Sequence, residues 1–173
     1  MYKVLFVCTG NTCRSPMAEE LFNSLTAMLG RRGEFHAESA GLAAYEGMPA
    51  SMGALSVMDA NGYDISHHLA TQLTQGKIAD CDLILCMQQG HIAPILQMDP
   101  EAEGKTDTLM HYSLGKYEDV PDPFGGDKDD YQQCYEQLLY GILALLLKLD
   151  PTLMQEIEKQ EALLRQKWEE KKE

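Results

Sequence analysis

A short segment near the start of the sequence carries a cysteine and, six residues later, an arginine: Cys8-Thr9-Gly10-Asn11-Thr12-Cys13-Arg14-Ser15. An arginine offers a planar pair of donors that matches phosphate oxygens. Backbone N–H groups in a loop that leaves a strand and enters a helix point inward, and the helix N-terminus adds positive potential. Because the same donors favour a thiolate, the segment predicts a phosphate-binding loop in which Cys8 attacks phosphorus and Arg14 binds its oxygens.

A nucleotide-binding loop and a chance pairing of residues would each share part of this pattern. A Walker-type nucleotide loop also cradles phosphate, but it ends in Gly-Lys-Ser/Thr, and this loop has no lysine. A cysteine and an arginine at this spacing also occur by chance, as a core thiol and a surface charge. The surrounding pattern favours the catalytic interpretation, because an apolar strand, a Gly-Asn turn and a helix start at Ser15-Pro16 occur in the required order.

Apolar runs and helical repeats alternate along the chain. The run from Val4 to Val7 is typical of a strand buried on both faces. Further strands are predicted at 34–39, 82–86 and 106–109, and helices at 15–29, 49–60, 88–97 and 131–149. This alternation predicts an α/β fold with an open parallel sheet and helices on both faces. Ligands bind at the carboxyl ends of the strands in such folds, which is where the Cys8 loop lies.

The length of 173 residues suits one domain with its own core. We assign residues 1–149 to this domain and residues 150–173 to a charged, helical C-terminal extension. Thr152 and Gln155 fit a capping box at the start of the extension. A thin apolar stripe follows it: Leu153, Ile157, Leu164 and Trp168. We expect an added helix that either packs on the domain or serves self-association.

Composition excludes several classes of partner. The net charge is −13, and the segment from Asp99 to Asp130 has ten acidic and three basic residues. Nucleic-acid binding needs a basic face, so we expect no nucleic-acid partner. The sequence has no membrane-spanning or secretory pattern, so we expect no membrane partner and a cytoplasmic location. Five cysteines, an odd number, do not make a disulfide framework.

The sequence resembles the low-molecular-weight protein tyrosine phosphatases over residues 1 to about 149. The resemblance is carried by the run Val-Cys-Thr-Gly-Asn-Thr-Cys-Arg-Ser-Pro-Met-Ala-Glu from Val7, by Ser39-Ala40-Gly41, by Ser66-His67 and by Asp122-Pro123-Phe124. It implies a single domain with a four-stranded parallel sheet flanked by helices. It also implies phosphorylated protein substrates, inorganic phosphate as a product, and no cofactor or metal.

The same resemblance implies roles for the reacting residues. Cys8 would attack phosphorus and become phosphocysteine, and Arg14 would bind the equatorial oxygens as charge builds up on them. Asp122 would protonate the leaving group and then take a proton from the hydrolytic water. Without the resemblance, Asp122 would be interpreted only as a turn residue before a proline.

The remaining loop residues would bind phosphate or support the loop. Ser15 would donate a hydrogen bond to the thiolate. Asn11, a residue type that tolerates left-handed backbone, would maintain the loop shape with Ser39 and His67. The rest of the phosphate-binding loop is Thr9, Gly10, Thr12 and Cys13.

Two pairs of cysteines have the same spacing: Cys8 with Cys13, and Cys81 with Cys86. A four-cysteine zinc site is therefore an alternative. A predicted strand separates Cys81 from Cys86, so they should point to opposite faces and lie about 16 Å apart. That distance opposes a shared metal. Cys13, which shares the loop with Cys8, is placed to trap oxidised Cys8 as a reversible disulfide.

Two residues bear on which phosphorylated side chain is the substrate. Many family members that act on phosphotyrosine have isoleucine or leucine at position 12, whereas Thr12 resembles the bacterial branch that acts on phosphoarginine. A hydroxyl can meet a guanidinium or its attacking water, although a threonine that only packs the loop is an alternative. Phe124-Gly125-Gly126, in place of two consecutive aromatics, also resembles that branch. We expect phosphoarginine or phosphotyrosine, with a slight preference for phosphoarginine.

Two other functions use a similar loop. Thiol-dependent arsenate reduction would need two further redox cysteines after the third strand, but no cysteine follows Cys86 until Cys134. A non-catalytic phosphate-binding module is the other alternative. The presence of Cys8, Arg14 and Asp122 together argues against it.

Overall fold

The computed structural model of the chain describes residues 1–156, 158, 159 and 162. Its centre is a four-stranded sheet in the order β2-β1-β3-β4, in which every neighbouring pair is parallel. The strands are β1 (Tyr2–Cys8), β2 (Phe35–Gly41), β3 (Leu83–Cys86) and β4 (Thr106–Thr108). The predicted open parallel sheet is therefore confirmed.

Helices lie on both faces of this sheet, as predicted. They are α1 (Arg14–Met28), α2 (Met52–Ala60), α3 (Gln75–Ala79), α4 (Ile92–Met98), α5 (Leu109–Leu114) and α6 (Lys128–Leu149). Helices α1, α2, α5 and α6 pack with Val4 and Phe6 of β1 in the larger core cluster. Helices α3 and α4 pack with Leu5 and Val7 in the smaller one. The apolar run in β1 is continuous because both of its faces are buried.

The register of the sheet brings three strand ends together. Cys8, the last residue of β1, pairs with Gly41 of β2, and Val7 pairs with Cys86 of β3. A side chain at Gly41 would come within 2.7 Å of the Thr9 carbonyl oxygen, so only glycine fits beside the loop after β1. The segments that follow β1, β2 and β3 therefore meet at one edge.

Three helix starts differ from the predicted ones. Helix α1 begins at Arg14 with Cys13 as its N-cap, so Ser15 lies inside the first turn and its hydroxyl faces Cys8 instead of capping the helix. Helix α2 begins only at Met52, because Pro49 pairs with Leu69 in an isolated β-bridge. Helix α6 begins at Lys128, where Asp127 caps it.

The predicted helix over 88–97 is a 3-10 turn, Gln89–His91, followed by α4. Pro94 lies in the first turn of α4, where a missing N–H costs no internal hydrogen bond. No helix in the described ranges is long and apolar enough to cross a membrane.

The start of the C-terminal extension packs on the domain. Residues 152–156 are helical, and Leu153 is buried in the larger core cluster. Arg31 donates to Asp150 and to Glu156, at 2.8 Å each. Asp150, not Gln155, accepts the Thr152 N–H, so the predicted capping box is replaced by a cap from the residue two before. The other members of the predicted apolar stripe, Ile157, Leu164 and Trp168, lie outside the described residues.

Candidate active site

The phosphate loop, residues 8–15, surrounds the Cys8 sulfur with donors. The Asn11 N–H donates to Cys8 Sγ at 3.3 Å, and the Ser15 hydroxyl lies 2.9 Å from the same atom. Since Ser15 Oγ already accepts a hydrogen bond from Asn11 Nδ2 at 2.9 Å, its own hydrogen is free to point at the sulfur. Two donors against one buried sulfur are the surroundings that a thiolate needs.

Asn11 organises this loop. Its backbone is left-handed, with φ at 56°, and its side chain is fully buried. The amide nitrogen donates to Ser15 and to Ser39, and the amide oxygen accepts the Thr71 N–H at 2.8 Å. Ser39 donates in turn to Glu19. The loop is therefore tied through one side chain to α1, to β2 and to the segment before α3.

The histidine that supports this loop is His68, and the expectation for His67 is wrong. His68 Nε2 donates to the Asn11 carbonyl oxygen at 2.7 Å, whereas the His67 side chain is exposed. Burial lowers the pKa of His68, although its hydrogen bond to Asn11 opposes that shift. Two adjacent histidines follow Ser66, and sequence alone did not tell which of them points inward.

Arg14 is held from two sides, and its side chain is only 2% exposed. Its Nη1 donates to the Val120 carbonyl oxygen at 3.0 Å, and its Nη2 lies 3.4 Å from Asp122 Oδ2. Among the described residues, Arg14 Nε is buried without a hydrogen-bond partner. A buried donor of this kind is costly unless something accepts from it, and an oxyanion in the cavity would do so.

Asp122 lies on the acid loop, residues 115–127, which passes over the phosphate loop. Its side chain is 46% exposed, and its Oδ1 accepts the Phe124 N–H at 3.1 Å. The carboxylate is thus directed toward Arg14 and open to solvent on its other side. This position suits a group that exchanges a proton with a substrate and with water.

One cavity of about 330 Å³ contains all three predicted reacting groups. Its lining is Cys8, Thr9, Gly10, Thr12, Cys13, Arg14, Ala43, Tyr45, Met48, Asp122 and Phe124. Tyr45 and Met48 are lining residues that the sequence did not indicate. Tyr45 is 82% exposed in the irregular segment after β2, where no sequence pattern indicates a binding residue.

Cys13 and Thr12 face different surroundings. Thr12 lines the cavity, and its carbonyl oxygen accepts the Ser51 N–H at 2.8 Å. Cys13 Sγ donates to Ser51 Oγ at 3.1 Å and lies 3.6 Å from the Tyr131 hydroxyl. Both loop cysteines are free thiols. The disulfide between Cys8 and Cys13 stays a prediction.

The prediction that Cys81 and Cys86 point to opposite faces of the sheet is wrong. Cys86 is a member of the smaller core cluster, and Cys81 packs against the same cluster. Cys81 precedes β3 and so does not follow the alternation of the strand. Burial raises the pKa values of both thiols. Within the described residues, no three cysteine, histidine or acidic side chains come close enough to hold a metal ion.

Comparison with known proteins places the chain in one class, the cysteine-dependent phosphatases. Residues 3–162 match the family described as low molecular weight phosphotyrosine protein phosphatase. The match takes in most of the chain, so the chain belongs to this family.

Curated relatives fall into two groups by name. A protein-arginine-phosphatase of Geobacillus stearothermophilus is 38% identical over 137 residues, which are 79% of this chain and 88% of that protein. The low molecular weight protein-tyrosine-phosphatase Wzb of Salmonella typhimurium is 35% identical over 136 residues, 79% of this chain and 86% of that protein. The solved YwlE arginine phosphatase from Geobacillus stearothermophilus superposes with a TM-score of 0.81 at 36% identity, covering 90% of this chain and 97% of that one.

Proposed function

We propose that this phosphatase removes phosphoryl groups from phosphoarginine in proteins, through a phosphocysteine at Cys8. The observation that supports this most directly is Thr12 in the wall of the cavity that also holds Cys8 and Arg14. Relatives named protein-arginine-phosphatase, 38% and 37% identical to the chain, support the same substrate class.

In the first step the Cys8 thiolate attacks phosphorus, and the bond to the leaving nitrogen or oxygen breaks. Asp122 gives its proton to the leaving atom, so arginine departs as its guanidinium cation and tyrosine would depart as a neutral phenol. Arg14 Nε and the loop N–H groups bind the phosphoryl oxygens, on which negative charge is concentrated in the transition state. Ser15 stabilises the sulfur as thiolate before the attack and as leaving group afterwards.

In the second step water attacks the phosphocysteine, and the Asp122 carboxylate takes the proton of that water. The sulfur–phosphorus bond breaks, inorganic phosphate leaves, and Cys8 is a thiolate again. Asp122 ends in its protonated form, ready for the next substrate. No redox partner or metal takes part in this sequence.

The substrate side chain would lie in the cavity beside Thr12. A phosphoguanidinium group has N–H donors around phosphorus, and the Thr12 hydroxyl can accept from one of them or orient the attacking water. A branched alkyl group at position 12 would instead pack against a flat ring. The hydroxyl therefore favours phosphoarginine.

Phosphotyrosine is the second candidate, because two aromatic side chains stand at the mouth of the cavity. Tyr45 and Phe124 line it from opposite loops and are both largely exposed. Exposed aromatic rings at a binding site can pack against an aromatic substrate. They can equally stack on a guanidinium plane, so Tyr45 and Phe124 do not separate the two substrates.

The deciding experiment compares rates on matched phosphoarginine and phosphotyrosine peptides for the wild-type protein and for Thr12→Ile. We expect the wild type to favour phosphoarginine. Thr12→Ile should lower activity on phosphoarginine and preserve or raise activity on phosphotyrosine. One hydrogen bond to a charged group is worth roughly 1.5–3 kcal/mol, so the preference should shift by about tenfold to a hundredfold.

Thr152→Ile is the matched control, because it makes the same exchange at an exposed residue of the C-terminal extension. It should leave both rates unchanged. If Thr12→Ile changes both activities in parallel, residue 12 only packs the loop. A wild-type preference for phosphotyrosine would make the second candidate the better assignment.

The proposal includes the setting of the reaction. Its substrates are phosphorylated proteins, and its location is cytoplasmic. The mechanism needs Cys8 as a free thiolate, and the five cysteines, all among the described residues, are free thiols. The cytoplasm is a reducing compartment that keeps thiols in this form, which supports the proposed location.

A further inference from the structure

His91 is a buried histidine beside the phosphate loop, and the proposed mechanism does not use it. It ends the 3-10 turn Gln89–His91 that follows β3, and it is only 6% exposed. Strand β3 is the direct neighbour of β1, so the segments after these two strands meet at the carboxyl edge of the sheet. His91 Nε2 lies 3.1 Å from the Thr9 hydroxyl oxygen.

The hydrogen bonds around His91 fix which ring nitrogen carries the proton. The Gln88 backbone N–H points at His91 Nδ1 at 3.2 Å, so Nδ1 must be the acceptor. A neutral imidazole then has its proton on Nε2. Nε2 therefore donates to Thr9 Oγ1, and the hydrogen of the Thr9 hydroxyl is left free for another acceptor.

The charges around His91 support the neutral form. Burial lowers the pKa of His91, and the nearby Arg14 guanidinium lowers it further. Asp119 and Asp122, both on the acid loop, act in the opposite direction. The shift that results is downward, so the imidazole is neutral at neutral pH and the assignment of its proton to Nε2 holds there.

The turn that carries His91 is tied to the rest of the site. The Gln89 N–H donates to Asp119 Oδ1 at 2.8 Å, and the Val120 N–H donates to the Met87 carbonyl oxygen at 2.8 Å. The segment after β3 thus contacts the acid loop on one side and the phosphate loop on the other. The segment that carries His91 is therefore fixed by the acid loop, and this keeps His91 in place beside Thr9.

We infer that His91 is a positioning residue, which orients the Thr9 hydroxyl so that it donates a hydrogen bond to bound phosphate. Thr9 lines the cavity together with Cys8 and Arg14. With its oxygen occupied by His91 Nε2–H, the hydroxyl directs its hydrogen at an oxygen of the bound phosphoryl group. The loop then binds phosphate through a side-chain hydroxyl as well as through backbone N–H groups and Arg14. The expected change in turnover rests on the proposed function, whereas the expected change in affinity for inorganic phosphate does not.

The test measures binding of inorganic phosphate by calorimetry and turnover of a small aryl phosphate in one set of variants. Thr9→Val removes the hydroxyl and keeps the shape of the side chain. His91→Gln keeps an N–H donor near the position of Nε2, whereas His91→Asn keeps polar atoms only near Nδ1. The double variant Thr9→Val/His91→Asn closes the cycle. His36→Asn, at the opposite end of the sheet, is the control.

We expect Thr9→Val and His91→Asn each to weaken phosphate binding by about tenfold, the range for one hydrogen bond to a charged group. The double variant should bind phosphate no more weakly than Thr9→Val alone, because His91 acts only through that hydroxyl. His91→Gln should recover most of what His91→Asn loses. The Michaelis constant and the phosphate dissociation constant should rise together in the affected variants.

Several results would overturn the inference. These are equal losses for His91→Gln and His91→Asn, additive losses in the double variant, or unchanged phosphate binding in Thr9→Val. Thermal unfolding of each variant separates a folding defect from a binding defect, and the Gln and Asn variants differ by only one methylene. If the wild type hydrolyses no aryl phosphate, the proposed function fails, while the phosphate affinities still decide the role of His91.

Discussion

The phosphate loop and the acid loop bring reacting groups to the same cavity, but they are held in different ways. The phosphate loop has Asn11, Arg14 and Ser15 among its buried residues, and side chains from β2 and from the segment before α3 tie it down. The acid loop is mostly exposed, with Val120 and Pro123 as its buried residues and Phe124 among its exposed ones. Backbone contacts of Val120 with Met87, the residue after β3, and with Arg14 anchor it.

This difference suits the task that we propose for each loop. Stabilising charge on phosphorus requires donors that are already in place, since reorganising them during the reaction costs free energy. Delivering a proton to a leaving group requires only that a carboxyl reaches an atom whose position varies with the substrate. A rigid loop suits the first task, and a loop with few anchors suits the second.

The largest effect is expected from breaking the rigid loop at Asn11. Asn11→Ala removes hydrogen bonds to Ser15, Ser39 and the Thr71 N–H, and it puts alanine in a left-handed conformation. We expect stability to fall by roughly 2–4 kcal/mol and kcat/KM on an aryl phosphate to fall by at least about a hundredfold. Denaturant unfolding and steady-state kinetics measure the two losses.

Asn23→Ala is the matched control for this variant. Asn23 also bridges two elements, through hydrogen bonds to the backbone N–H and carbonyl of Ala37, but it lies away from the cavity. It should lose stability and keep its activity per folded molecule. If Asn11→Ala also keeps its activity per folded molecule, the phosphate loop does not depend on the rigidity that we assign to it.

The effect expected from the acid loop is confined to activity and is more selective. Asp122→Asn should lower kcat by roughly a hundredfold or more on substrates with poor leaving groups, and far less on those with good ones, because only the former need protonation. Stability should change little, because the side chain is half exposed. Asp129→Asn, an exposed acidic residue in the first turn of α6, provides the same change of charge as a control. An equal loss on both classes of leaving group would make Asp122 a positional residue.

The smallest effect concerns the pH dependence of stability. Burial lowers the pKa of His68, so below about pH 6.5 the unfolded chain binds a proton that the folded chain does not. The free energy of unfolding should therefore fall as the pH drops from 7 toward the pKa of the folded state. His68→Gln keeps an N–H donor for Asn11 and cannot titrate in this range, so its stability should fall less steeply over the same interval. Parallel curves for the two proteins, from denaturant unfolding between about pH 5 and pH 7.5, would contradict this assignment.

Much of the phosphate loop could be predicted from sequence because its signals are local. Cys8, Arg14 and Ser15 lie within eight consecutive residues, between an apolar strand that ends at Cys8 and a helix that begins at Arg14. The order of alternating elements also predicted the parallel sheet, since short crossovers leave few other topologies.

The residues that sequence analysis missed or misplaced reach the site from distant segments. The sequence indicates His67 instead of His68 because the two histidines are adjacent, and only the packed loop shows which of them points inward. His91 follows β3 with no local pattern around it, and only the neighbouring position of β3 beside β1 brings it to Thr9. Tyr45 lies in the irregular segment after β2, where periodicity gives no information. Tertiary contacts over tens of residues select these side chains, and no spacing rule encodes them.

The central claim is that Cys8 forms the covalent intermediate, and trapping that intermediate tests it most directly. The Asp122→Asn variant, mixed with a substrate that has a good leaving group, should accumulate phosphoenzyme because water then attacks without a general base. Rapid quenching and peptide mass spectrometry should find one phosphoryl group, on Cys8. The double variant Cys8→Ala/Asp122→Asn, which has no nucleophile at position 8, should show none under the same conditions. A phosphoryl group on another residue, or substantial turnover by Cys8→Ser alone, would contradict the account.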